Sequence, residues 1–154
     1  MQTRATETVN IPKGVDNGVN LRMNGKGNTS KSGPAGDLMI KISVKEHPYF
    51  KRNGFDIHTD KYITVSQAIL GGETVIKTLA GDVKVNINAG TQHNDKKRLV
   101  NCGINKLPPN HRQKGDHYVN FKVEIPKSLT AKQREAILKY AEVEDQVQVS
   151  EQTE

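Results

Sequence analysis

The sequence has a single cysteine, Cys102, no tryptophan, and only 5% aromatic residues among its 154. One cysteine excludes a disulfide framework within the chain and any cysteine-rich zinc site. Too few aromatics remain to alternate with basic residues as a single-strand stacking platform requires. No apolar run approaches the length of a membrane span, and the polar N-terminal stretch has no signal-peptide core, so no membrane partner is expected. None of His47, His58, His93, His111 and His117 stands at metal-ligand spacing from another His or a Cys, so no metal site is expected. Gly25-Lys26-Gly27 lacks the order of a phosphate loop. No nucleophile, base and oxyanion donor can be assembled from the residues, so no catalytic residue is assigned and the chain is not expected to be an enzyme. Cys102 is then a structural residue. Asn28-Thr29-Ser30 is a glycosylation sequon in form only, with no secretory signal before it.

What is present suffices for a modest core. Hydrophobic residues make up 34% of the chain and charged residues 26%, in a length that suits one ordinary domain or two small modules. Lys plus Arg number 23 against 17 Asp plus Glu, a net charge of +6. This favours acidic partners without selecting one. The longest basic run is Lys96-Lys97-Arg98. A basic nucleic-acid-binding β-module is therefore the alternative functional reading, not the expected one.

An internal repeat is the most informative feature. Val9-Asn10-Ile11-Pro12-Lys13-Gly14 returns 76 residues later as Val85-Asn86-Ile87-Asn88-Ala89-Gly90, and at that offset Arg22 meets Arg98 and Gly27 meets Gly103. Gly36-Asp37 followed by Ile40-Lys41-Ile42-Ser43-Val44 is echoed by Gly115-Asp116 followed by Val119-Asn120-Phe121-Lys122-Val123, after a loop three residues longer. The repeat predicts two tandem copies of one β-rich module, with Val9 and Val85 in like environments. The stretch from about Asp56 to Asp82 has no counterpart before Val9, so the first module lacks its front half.

Period-two alternation predicts strands at Leu38, Ile40, Ile42 and Val44, at Val83, Val85 and Ile87, and at Val119, Phe121, Val123 and Ile125. Each is half apolar and half polar, as in an antiparallel sheet with one wet face. Turns are marked by Gly14, Asn17-Gly18, Gly25, Gly33-Pro34, Asn53-Gly54, Gly81-Asp82 and Pro108-Pro109. Thr64-Val65-Ser66-Gln67 and Thr130-Ala131-Lys132-Gln133 fit capping boxes. The first opens a short helix stopped by Gly71-Gly72, the second a helix through about Glu142 with an apolar stripe of Ile137, Leu138 and Ala141. The fold class expected is mainly β: two tandem antiparallel β-sandwich modules, the first truncated, with a short internal helix and a C-terminal helix. The expected boundaries are 1–48 for the rear half of the first module, 49–128 for the second, 129–142 for the helix and 143–154 for a flexible acidic tail.

Gly36-Asp37-Leu38, His47-Pro48-Tyr49-Phe50-Lys51-Arg52-Asn53-Gly54-Phe55-Asp56-Ile57, Ala68-Ile69-Leu70-Gly71-Gly72-Glu73 and Gly115-Asp116-His117-Tyr118 resemble the C-terminal domains of DnaJ-type co-chaperones of the zinc-finger-containing class. The motifs keep family order and spacing from about Val9 to Ala141. The ending from Lys127 to Glu142 resembles the mitochondrial members most. The resemblance implies that a zinc-binding insertion splits the first domain, so zinc belongs only to a missing upstream region and no cofactor to this chain. It also implies binding of unfolded client polypeptides, presentation to a DnaK-type chaperone in the full-length protein, and a homodimer through the C-terminal helix. The compartment it suggests is the mitochondrial matrix, with the cytoplasm as alternative.

Carried over by position, the client groove uses strands corresponding to Glu7-Val9-Ile11 and Leu38-Ile40-Ile42, which makes Val9, Ile11, Leu38, Ile40 and Ile42 the candidate client-binding residues. Glu7 departs from the Leu or Val usual there. The same aliphatics read equally as sandwich core. Phe50 and Phe55 either hold the two modules at a fixed angle by inter-module packing or plug the ends of neighbouring cores. Ile137, Leu138, Tyr140 and Ala141 pack on their own module or, as the resemblance implies, on a second chain.

Overall fold

The computed structural model describes residues 6–27 and 35–144. The Asn28-Thr29-Ser30 sequon, the Gly33-Pro34 turn and the tail after Glu144 lie outside the described residues. The chain is mainly β, with eight strands and two helices among the described residues: β1 (Asn20–Met23), β2 (Leu38–Lys41), β3 (Lys51–Asn53), β4 (Asp56–Thr64), α1 (Val65–Leu70), β5 (Gly72–Thr78), β6 (Gly81–Ile87), β7 (Lys96–Leu99), β8 (His117–Glu124) and α2 (Ala131–Glu144). Contacts cluster into one unit ending at Val123 and another beginning at Glu124.

In the second copy, a four-stranded sheet ordered β3-β4-β8-β7 faces the β5-β6 hairpin. Ile63 of β4, Ile76 of β5, Val85 and Ile87 of β6, and Val119 and Phe121 of β8 fill the space between, with Ala68 of α1 closing one end. β3 and β4, β5 and β6, and β7 and β8 pair antiparallel. Strand β6 shows why alternation is a reliable signal here: Val85 and Ile87 are buried while Asn86 and Lys84 face out. Both capping boxes form. Thr64 Oγ1 accepts from the Gln67 N–H while the Gln67 side chain accepts from the Thr64 N–H, and Thr130 and Gln133 do the same. Gly71, at φ 81°, ends α1, a conformation that only a residue without Cβ takes at low cost.

The first copy contributes β1 and β2, an antiparallel pair in the register Leu21 to Ile40 and Arg22 to Met39. Its match to the second copy extends to single hydrogen bonds. Arg22 Nε donates to Asp37 Oδ2 at 2.6 Å, and Arg98 Nε to Asp116 Oδ2 at 2.7 Å. The Gly25 and Asn101 N–H groups donate to the other oxygens of those carboxylates. Gly27 N–H reaches the Gly36 carbonyl, and Gly103 N–H the Gly115 carbonyl, each at 2.8 Å. Gly18 and Ile42 bond through Gly18 N–H to Ile42 O, and Asn94 and Phe121 repeat it at the same 2.8 Å. Asn94 and Asn101 take the positive φ of Gly18 and Gly25, which Asn tolerates better than most side chains.

Four expectations need correction. Residues 6–19 carry no strand, so the groove strand that the resemblance implies at Glu7-Val9-Ile11 is absent, and β1 further on is the partner of β2. Val9 and Val85 therefore differ: Val85 is buried in the core, whereas Val9 is half-buried and Ile11 is 57% exposed. The physical reason is pairing, since β6 lies against β5 and no described residue plays that part for Val9. Strands β2 and β8 also stop before Val44 and Ile125, at Lys41 and Glu124; beyond the end of β2, Asn17 Oδ1 accepts from Val44 N–H at 3.0 Å, a side chain where a strand partner would stand. The hairpin turn falls at Leu79-Ala80, one residue ahead of Gly81.

Candidate functional site

Strand β2 is paired on one side by β1, and no other described strand borders it. Among the described residues nothing pairs its remaining edge, and backbone groups on such an edge can template another extended chain. Leu38 and Ile40 are half-buried on one face, Ile42 beyond the strand end is buried, and Met39 on the opposite face is 57% exposed. The counterpart of Ile40 in the second copy, Val119, is fully buried. Ile40 is thus a core position by pattern that the first copy leaves partly uncovered. Leu38, Ile40 and Ile42 fall together; Val9 and Ile11 are outside any strand.

At the junction of the two copies lies an open cleft of about 530 Å³ with an apolar floor of Val44, Phe50, Ile57, Leu79 and Ile104. Arg52 of β3 lines it. Its Nη1 and Nη2 donate to the carbonyls of Val15 and Gly14 at 2.8 and 2.6 Å, its Nε donates to Gly54 O at 2.7 Å, and Asp16 stands 3.7 Å away. The guanidinium carbon sits 5.9 Å from the Phe55 ring centre. Phe50 meets the rings of His47, Tyr49 and His117. Arg52 stands out in the sequence only as one letter of the motif from His47 to Ile57; Gly14, singled out as a turn and a repeat match, is the signal that backbone closes on something there.

His117, which opens β8, is fully buried, its Nε2 2.7 Å from Thr59 Oγ1 of β4 and its Nδ1 without a partner among the described residues. Burial pushes its pKa below the ordinary 6.5, and nearby His58 adds to this. The Asp116 carboxyl is held below the usual range, chiefly by the Asn101 N–H, against the opposing effect of burial, with the Arg98 guanidinium adding to the lowering. Among the described residues, no group of three or more His, Cys, Asp or Glu is placed to hold a metal ion. No described helix is long and apolar enough to cross a membrane. In α2, Ile137, Leu138 and Tyr140 are 51%, 53% and 41% exposed, and no residue of the helix, Ala141 included, is buried.

Two homologous β units joined end to end, with an aliphatic strand edge left open in the first, define a tandem β-sandwich chain with a C-terminal helix. Residues 1–126 match the DnaJ C terminal domain, and the chain belongs to that family. It is 44% identical over 144 residues to the chaperone protein DnaJ of Clostridium tetani, covering 93% of this chain and 38% of the relative. To the chaperone protein DnaJ of Caldicellulosiruptor bescii it is 44% identical over 133 residues (86% and 34%), and to that of Halobacterium salinarum 41% over 140 residues (90% and 35%). The chain spans about a third of the length of these curated relatives. They are bacterial and archaeal, so the expected likeness to mitochondrial members finds no support among them.

Proposed function

We propose that this chain is the client-binding part of a DnaJ-type co-chaperone, which takes up apolar segments of unfolded proteins and performs no reaction itself. The observation that carries this reading is the open edge of β2 beside Leu38 and Ile40. An incoming extended segment would add backbone hydrogen bonds that any sequence can make, while the aliphatic face selects apolar side chains. Burying roughly 300 Å² of apolar surface would gain about 7 kcal/mol. Association and ordering remove several kcal/mol of this. Binding is then weak and reversible, as a carrier that must release requires. In the whole protein the client passes to a DnaK-type ATPase chaperone, the zinc-binding insertion lies upstream, and two chains meet through α2, whose Ile137, Leu138, Tyr140 and Ala141 are uncovered.

Titrating a labelled apolar peptide and an oligonucleotide at low and moderate salt tests the reading. The peptide binds with little change between the two salt concentrations, because the contact is apolar. Binding of the oligonucleotide alone, with affinity falling steeply as salt rises, would instead establish the basic nucleic-acid-binding module.

A further inference from the structure

We infer that Arg52 is the joint that keeps the first copy ordered, by tying its backbone to the second. The first copy has little core of its own: of its described aliphatics only Ile42 is buried, at 9% exposure, whereas the second copy encloses a full cluster. Something outside the first copy must hold it. Arg52, rooted in β3, spends three separate N–H directions on carbonyls, two of them on consecutive residues of the first copy, Gly14 and Val15, 38 and 37 residues away. A planar guanidinium satisfies three acceptors here from a fork of three separate nitrogens; the three N–H bonds of an ammonium leave a single nitrogen and cannot span them.

Gly14 shows how close the approach is. A Cβ there would fall on the carbonyl oxygen of Asn105, in the second copy, and within 3.5 Å of the Phe55 ring. Its repeat counterpart Gly90 has the same positive φ but open space around it, and its N–H bonds to Ala68 and Ile69 of its own copy. The same position in the repeat is therefore used for internal folding in the second copy and for docking in the first.

Amide hydrogen exchange on the 154-residue chain tests this, because the repeat provides its own control. In Arg52→Gln, the amides of Gly18, Gly27 and Ile42 exchange at least tenfold faster, while their counterparts Asn94, Gly103 and Phe121 keep wild-type rates. Arg52→Lys, which keeps the charge but not the fork, behaves as Arg52→Gln. Unchanged rates in the first copy would overturn the inference. So would equal acceleration of both copies, or loss of fold in both variants, since Arg52 would then be an ordinary stabilising residue of the second copy. Wild-type exchange in Arg52→Lys would overturn the requirement for the fork.

Discussion

Replacing Ile40 and its repeat counterpart Val119 by serine separates a binding role from a core role at one position of the same module. Val119 is completely buried among Ile63, Ile76, Val85 and Phe121. Serine there loses about 1.5–3 kcal/mol of side-chain burial. It also leaves a hydroxyl without a partner in an apolar core, about 1–3 kcal/mol more. The sum, roughly 2.5–6 kcal/mol, is a large part of the 5–15 kcal/mol that holds a domain of this size. Ile40 is only half-buried, so serine forfeits about half as much burial and its hydroxyl reaches water; the cost is about 1 kcal/mol. Client binding reverses the order. A segment lying on β2 covers what remains exposed of Ile40, and losing that contact costs on the order of 1.4 kcal/mol, about tenfold in Kd. Urea unfolding followed by circular dichroism, together with fluorescence anisotropy of an apolar peptide, reads both effects. Val119→Ser shifts the unfolding midpoint far more than Ile40→Ser, and Ile40→Ser weakens the peptide tenfold while staying folded. Equal destabilisation by the two variants, or peptide affinity untouched by Ile40→Ser, would refute the assignment of Ile40 to an open edge.

Stability falls on acidification through His117. Its folded pKa is depressed, so the unfolded chain binds a proton first; the contribution is complete above about 6.5 and is lost as pH falls toward the lower folded value. Urea midpoints measured at pH 7.5 and pH 5 show the loss, and His117→Phe flattens it; an unchanged slope in that variant removes His117 as the cause. Gly103→Ala destabilises more than Gly18→Ala, because a Cβ on Gly103 would stand 2.6 Å from both the Phe55 carbonyl oxygen and the Gly115 carbonyl carbon, whereas at Gly18 only the φ of 84° opposes it. The first costs about 1–3 kcal/mol through forced backbone shifts. The second costs about 1 kcal/mol; thermal melts rank the two. If α2 pairs two chains, Leu138→Lys shifts sedimentation from dimer to monomer without changing the unfolding transition of the β units; a wild-type species already monomeric at high concentration rules out that pairing.

Both capping boxes, strands β6 and β8 and much of β2 were legible because each rests on local chemistry: a side-chain oxygen three residues from an N–H, or aliphatics at every second position. The repeat was legible for a deeper reason. The same Arg, Asp and Gly recur because the same hydrogen bonds recur, and Arg22 with Asp37 and Arg98 with Asp116 make the same contacts. Strands β3, β4, β5 and β7 escaped notice because their inward positions break the apolar pattern, and β1 because its alternation of Leu21 and Met23 with polar neighbours runs for only four residues. Thr59 and Thr78 are buried where an aliphatic would have announced the strand, and β3 and β7 are largely charged.

The amino-acid order by itself determined the kind of unit, its duplication and the helix starts, since these depend on neighbours a few residues apart. Only the tertiary structure decided which copy keeps its aliphatics covered. Val9 and Val85, or Ile40 and Val119, are interchangeable as text; burial depends on whether another strand lies against them, and β5 and β6 supply that only for the second copy. The role of Arg52 was likewise invisible, because a guanidinium bonding to carbonyls 37 and 38 residues away leaves no periodic trace in the chain that bears it.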